Sequence, residues 1–312
     1  MLSRMAEALF WVGRYVERAE DTARLLDVHF HLVLEDPSID EVKSTAVLSA
    51  VMGLTDDAPT DTQALLERFG YDAGFASSIV GSLHSARENA RGVQEALSSE
   101  IWECLNVTFH ELPPRVRAAR AFGPAPFFSY VRERAAMFAG LAESTMSRDH
   151  GYDFLLLGRS VERVDMTARL LAARVISPMS GDGWIPTLRA CSAHESYLRT
   201  YQRGVQSQLV VEFLLLDRLF PRSVFHSLVV GEEALVRLDS TAGRLGSGDR
   251  ARRAIGRART DLEFLDTSEI FDDLPERLHQ LQRVMTEVSA AVSRRFFAGS
   301  AAITWSPEES RA

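Results

Sequence analysis

Lysine is almost missing from this chain. Lys43 is the only one, so arginine supplies nearly all of the positive charge. Rigid guanidinium forks suit carboxylate or phosphate recognition better than ammonium groups do. Cysteine is nearly as scarce: Cys104 and Cys191 lie in different halves, with no CxxC pair. That excludes a disulfide framework and fits a reducing compartment. No run approaches the roughly 18 apolar residues that would cross a membrane. The N-terminus does not read as a signal peptide, because Glu7 interrupts a short apolar run and Arg14, Glu17 and Arg18 follow at once. The expected location is cytoplasmic. Gly-x-Ser-x-Gly, Walker and dinucleotide glycine loops are all absent, so no cofactor is expected. A net charge of -8 excludes a general nucleic-acid binder.

What the chain does have is a stretch written twice. Residues 10–26 read FWVGRYVERAEDTARLL and residues 155–171 read LLLGRSVERVDMTARLL. Ten of these seventeen positions are identical at an offset of 145, where unrelated segments would share about one. Further pairs hold the same offset: Ile79/Val224, Ser82/Ser227, Leu83/Leu228 and Glu88/Glu233. The chain reads as an internal duplication, 1–145 and 146–312, packed as one helical bundle about a pseudo-twofold axis.

At 100° per residue, Trp11, Val12, Tyr15, Val16, Ala19, Thr22, Ala23 and Leu26 form one apolar arc. Gly13, Glu17, Glu20 and Arg24 fall on the other side, with Arg14 and Asp21 beside them. Solvation alone would not fix the type of charge, yet Arg-x-x-Glu-Arg-x-(Glu/Asp)-x-Thr-x-Arg recurs in both copies. The alternative is internal pairing at helical spacing, worth a few tenths of a kcal/mol per pair.

No segment alternates with turn signals, so the expected fold is all-α. Helices are expected at about 2–34, 40–52, 63–69, 79–97, 101–112 and 127–145 in the first half. A loop is expected at 55–62, with Thr60 or Asp61 capping the next helix. Pro113-Pro114 and the 123–126 segment should bracket a loose connection. In the second half, 177–186 reads as a loop and 187–219 as helical. Pro221-Arg222-Ser223 should start another helix, and 241–249 is a Gly-rich connection. The last helices are expected at about 252–265 and 276–297, with a loosely ordered tail after Gly299.

Carboxylates on paired helices suggest a di-metal bundle, which needs Glu-x-x-His on two helices. Here the repeated spacing is Glu17-x-x-Glu20 and Glu162-x-x-Asp165, without histidine. His29 and His31 face Arg174 and Ile176 at the offset, and Glu276 to His279 has no second copy. Interleaved arginines would also repel a cation, so no metal is expected. A zwitterionic ligand fits better, with arginines taking carboxylate or phosphate and acids taking an amine. On that reading the candidates are Arg14, Glu17, Arg18, Glu20, Arg24 and their counterparts Arg159, Glu162, Arg163, Asp165 and Arg169. A second set is Arg87, Glu88, Asn89 and Arg91 with Trp102 and Asn106, against a solvated surface as the alternative. A third is Asp217, Arg222 and Ser223, for which helix capping around Pro221 is the favoured reading. Cys104 and Cys191 sit in apolar patterns and read as core.

Residues 1–28 (MLSRMAEALFWVGRYVERAEDTARLLDV), SARENARGVQEALSSEIWECLN and FLLLDRLFPRSV together resemble the bacterial alpha-E domain family, also called DUF403. The resemblance covers nearly the whole chain and implies an all-helical fold. It also implies the company of a circularly permuted ATP-grasp protein, and often of a transglutaminase-like protease, because genes of this family typically neighbour theirs. The implied role is that of a partner in ATP-dependent amide-bond formation on a peptide, amino acid or amine. Two other readings stay open. One is a stand-alone carboxylate-dependent amide hydrolase or transferase; the other is a structural adaptor whose charges pair internally.

Overall fold

The computed structural model describes residues 1–54, 58–176, 183–239 and 249–297. The described residues are helical and contain no strand, so the all-α expectation holds. The first half supplies α1 (Ser3–Glu35), α2 (Glu41–Val51), α3 (Thr62–Leu65), α4 (Ile79–Arg91), α5 (Ser99–Phe122) and α6 (Ala125–Thr145). The second supplies α7 (His150–Ile176), α8 (Trp184–Ala190), α9 (His194–Tyr201), α10 (Ser207–Leu216), α11 (Val224–Leu238), α12 (Arg250–Glu263) and α13 (Leu274–Phe296).

The two copies of the repeated stretch lie in α1 and α7, which run side by side in the same direction at the centre of the molecule. Each is wrapped by the helices that follow it. The second half of α1 packs with Phe69, Ile79, Phe127 and Phe128 into one apolar core. A smaller core joins Val12 and Val16 of α1 to Ile101 and Leu105 of α5 and Phe138 of α6. α7 forms the largest core with α10 through α13, and Leu9 and Phe10 of α1 extend it.

Glycine sets how closely the central pair approaches. A Cβ on Gly13 would lie 2.2 Å from the Leu155 carbonyl oxygen, and one on Gly158 would lie 2.0 Å from the Phe10 carbonyl oxygen. Both obstacles are backbone, so only glycine permits this contact.

Flanking turns also match at the offset of 145. Ser78 and Ser223 cap α4 and α11, accepting from Gly81 N and His226 N. Their hydroxyls donate to the carbonyls of Asp72 and Asp217. Ser82 and Ser227 donate to the carbonyls of Ala76 and Pro221.

Several boundaries differ from expectation. α4 stops at Arg91, where Gly92 ends it and a 3-10 turn follows at Gln94–Ala96. α5 runs straight through Pro113 and Pro114 to Phe122, so no loose connection exists there. The carbonyls that lose their donors belong to Phe109 and His110, near exposed Pro113 and Pro114, where water can replace the bonds. The helix expected at 63–69 is α3 followed by a π-helical turn, Leu66–Tyr71, and Asp61 caps it. The stretch 187–219 breaks into parts of three helices. Ser192 (φ 55°) and Gln202 (φ 51°) adopt the left-handed conformation that terminates α8 and α9. Trp184–Pro186 is already helical. Residues 177–182 of the expected loop, the Gly-rich connection before Asp249 and the tail lie outside the described residues, as do 55–57 of the 55–62 loop.

Candidate functional site

The repeated charges meet one another across the α1–α7 contact. Glu17 and Glu162 are each only 3% exposed. Glu162 accepts from Arg14 Nε at 2.7 Å, and from Arg18 Nε and Nη2 at 2.6 and 3.0 Å. Reciprocally, Glu17 accepts from Arg159 Nε at 3.1 Å, and from Arg163 Nε and Nη2 at 2.7 and 2.8 Å. A Glu-Arg dipeptide therefore makes each half of the clasp: Glu17-Arg18 on α1 and Glu162-Arg163 on α7. Glu20 and Arg24 pair within α1, and Asp165 and Arg169 pair within α7.

Solvent exclusion makes these pairs matter. Burial alone would raise the Glu162 carboxyl, but Arg18 and Arg14 outweigh it and hold the group at about 2. Burial likewise opposes ionisation of Glu17, and Arg163, Arg222 and Arg159 overcome it, leaving the carboxyl well below its usual range. Both carboxylates therefore stay ionised, and neither is placed to exchange a proton at neutral pH.

The two halves of the clasp are unequal, and Arg222 is the reason. Its guanidinium reaches Glu17 at 3.0 Å, Glu20 at 2.6 Å and Asp21 at 2.5 Å. At the offset of 145, Ser77 stands at the position of Arg222 and Met166 at that of Asp21. Burial, with Glu17 and Glu20 close by, pushes the Asp21 carboxyl up to about 7 although Arg222 pulls it down. The capping alternative for this segment fits Asp217 and Ser223. Asp217 accepts from Leu219 N and Phe220 N, and Ser223 caps α11. It does not describe Arg222, whose role as a hub for three acids the capping pattern conceals. The signal in the sequence was a departure: an arginine and an aspartate where the other copy has neither.

The α4–α5 candidates form a separate, self-contained group. Arg87 donates to Asn106 Oδ1 at 3.3 and 3.2 Å, pairs with Glu88, and lies over the rings of Trp102 and Phe109. Asn89 turns back to the Ser85 carbonyl, and Arg91 is mostly exposed at 3.4 Å from Glu88. Cys104 and Cys191 are buried free thiols. Burial pushes Cys191 up to about 12, so it is no thiolate nucleophile.

Open space of ligand size lies elsewhere. A cleft of about 850 Å³ opens where the C-terminal ends of α1 and α7 meet α2 and α8. Its wall is largely apolar, including Val28, Leu32, Val47, Val51, Leu170 and Ile185. Charged groups converge on it: Arg132 holds Asp27 at 2.7 Å, and His31 Nδ1 lies 2.9 Å from the Asp27 carbonyl. Buried His29 also faces it, its pKa pushed down to about 4 by desolvation. Mostly apolar walls with a few converging polar groups are the usual make-up of a ligand site. The sequence shows that His29 and His31 are not repeated, but nothing in it joins them to Arg132, a hundred residues away. Among the described residues, no three His, Cys, Asp or Glu side chains gather as metal ligands, and no helix is long and apolar enough to cross a membrane.

Three uncharacterized proteins, Mb2597 of Mycobacterium bovis and MT2643 and Rv2567 of Mycobacterium tuberculosis, are each 27% identical to this chain. The alignments cover 99% of this chain and 39% of each relative. The chain thus spans about two fifths of the length of the curated relatives it matches. No solved structure matches it significantly. The model of the Alpha-E family, described as a predicted alpha-helical domain with a conserved ER motif, matches residues 1–297. This chain belongs to the Alpha-E family.

Proposed function

We propose that the chain is a helical partner of an ATP-grasp amide-bond ligase, and that it holds a peptide, amino-acid or amine-bearing intermediate in the cleft between α1, α2, α7 and α8. The partner rests on the family resemblance of the sequence. The relocation of the ligand rests on one observation: Glu17 and Glu162 are 3% exposed and occupied by arginines of the opposite helix. The Arg/Glu set is then the clasp that fixes the two central helices. The cleft beyond it offers apolar walls for side chains, and Arg132, 30% exposed although it holds Asp27, can turn to a ligand carboxylate.

The test combines the purified chain with its neighbouring ATP-grasp protein and follows ADP release. Wild type should copurify and change ATP turnover. Ala173→Trp, which fills the cleft from α7, should fold normally and lose that effect. If wild type neither copurifies nor alters turnover, the proposal fails. Internal pairing of the clasp also favours a purely structural adaptor. In that case the partner is bound, but Ala173→Trp leaves turnover untouched. A hydrolase that uses Glu17 or Glu162 gains no support, because these two carboxylates are buried, paired with arginines and held ionised.

A further inference from the structure

The clasp and the cleft leave unexplained the most arginine-dense segment of the chain. α12 begins RARRAIGRAR, five arginines in ten residues. Arg250 and Arg252 lie in its first turn, where the helix dipole disfavours positive charge. That placement disfavours α12, and whereas Arg259 pairs with Glu232 and Glu263, Arg250 is not paired within the helix. Arg250 and Arg257 are exposed and lie two turns apart, roughly 10.5 Å along the axis. Both line a groove of about 650 Å³ between α12 and α13, and Arg277 enters it from the α13 side. Among the described residues, none of these three makes an ion pair. The Arg277 Nε is buried with no hydrogen-bond partner, an arrangement that costs free energy until an acceptor arrives. Ala254 and Ala258 form part of the floor, and their small side chains let another backbone come close.

We propose that the α12–α13 groove docks an acidic peptide segment of a partner protein. Carboxylates of the segment meet Arg250 and Arg257, and a further acceptor reaches Arg277. Acidic residues give the groove a direction. Asp261, Asp273 and Glu276 line it at the end where α12 turns into α13, and Glu276 is already paired with Arg283. The acids of the segment therefore sit toward the N-terminus of α12, by Arg250 and Arg257. The acceptor for Arg277, which stands between Asp273 and Glu276 and the rest of the groove, is an uncharged carbonyl. Glu287 on α13 also lines the groove, so two or three well-placed carboxylates are accepted and a dense polyanion gains nothing more. This surface is separate from the cleft at α2 and α8, and it stands or falls independently of the function proposed above.

Fluorescence anisotropy with a labelled, end-capped hexaglutamate peptide tests it. Wild type should bind the peptide, bind hexalysine at least tenfold more weakly, and lose affinity as salt screens the exposed arginines. Arg250→Glu/Arg257→Glu should weaken hexaglutamate binding at least tenfold, with helicity by circular dichroism unchanged. Arg250→Gln/Arg257→Gln, which introduces no new charge, should weaken it in the same direction. No binding of hexaglutamate, or equal affinity in both variants, overturns the proposal. Displacement of the peptide by inorganic phosphate at comparable concentration also overturns it, because the groove would then be a small-anion site.

Discussion

Replacing Glu162 by Gln keeps the shape of the side chain and removes its charge, leaving Arg14 and Arg18 facing a neutral amide. The carboxyl is held at about 2 against an ordinary 4.5. Holding it there rather than at its ordinary value corresponds to about 3 kcal/mol of stability at neutral pH. An independent route gives a similar figure, since removing one partner from a buried ion pair costs about 3–5 kcal/mol. For a chain of 312 residues the melting temperature should fall by roughly 5 °C. Urea unfolding followed by circular dichroism measures the change directly. The sign with pH is fixed as well. A depressed carboxyl contributes its stability above 4.5 and loses it as pH falls from there toward 2. The difference between wild type and Glu162→Gln should therefore be full at pH 7 and shrink through that acid window. A loss under about 1 kcal/mol at pH 7, or a difference that does not shrink in acid, would refute the reasoning.

Other expectations follow from the same geometry. Gly158→Ala places a methyl 2.0 Å from a carbonyl oxygen of α1, so its cost should reach about 3 kcal/mol or more, at the upper end for overpacking; a melt within 2 °C of wild type would contradict this. Asp21 behaves oppositely to Glu162. Its raised carboxyl contributes stability below about 3.8 that is lost as pH rises through about 7, so Asp21→Asn should flatten the decline between about pH 4 and 7 in a pH series of urea melts. Ser223→Ala removes the cap of α11 and should cost about 1 kcal/mol, measurable by the same unfolding assay without any effect on peptide or partner binding. Buried His29, held near 4 rather than 6.5, contributes stability above 6.5 that is lost as pH falls toward 4; an NMR titration placing it at 6 or higher would show the site to be wet.

Much of this was legible because helical periodicity and a fixed offset are properties of the sequence alone. The α1 and α7 helices, the Ser223 cap and the recurrence of Glu17-Arg18 as Glu162-Arg163 could all be read directly. What could not be read was depth. Periodicity placed Gly13, Glu17 and Glu20 opposite an apolar arc, and such a face normally meets water. In fact both faces of α1 are covered, because Gly13 and Gly158 let a second helix sit against the charged side. Burial then turned candidate ligand contacts into internal pairs. Pro113 and Pro114 misled in a similar way: each removes a donor and crowds the carbonyl four residues back, but on this exposed side the freed carbonyls of Phe109 and His110 can reach water, and α5 continues. The cleft and the α12–α13 groove depend on how distant segments pack, and no local pattern encodes that.

The coupling free energy between Arg18 and Glu162 bears most directly on the claim that the repeated charges exist to hold each other. A double-mutant cycle with Arg18→Met, Glu162→Gln and the pair gives it from three unfolding curves against wild type. A buried, bidentate contact at 2.6 and 3.0 Å should yield a coupling of at least about 1.5 kcal/mol, within the range for residues in one ionic network. Additivity to within about 0.5 kcal/mol would mean that the two side chains do not sense each other, and the clasp would be refuted.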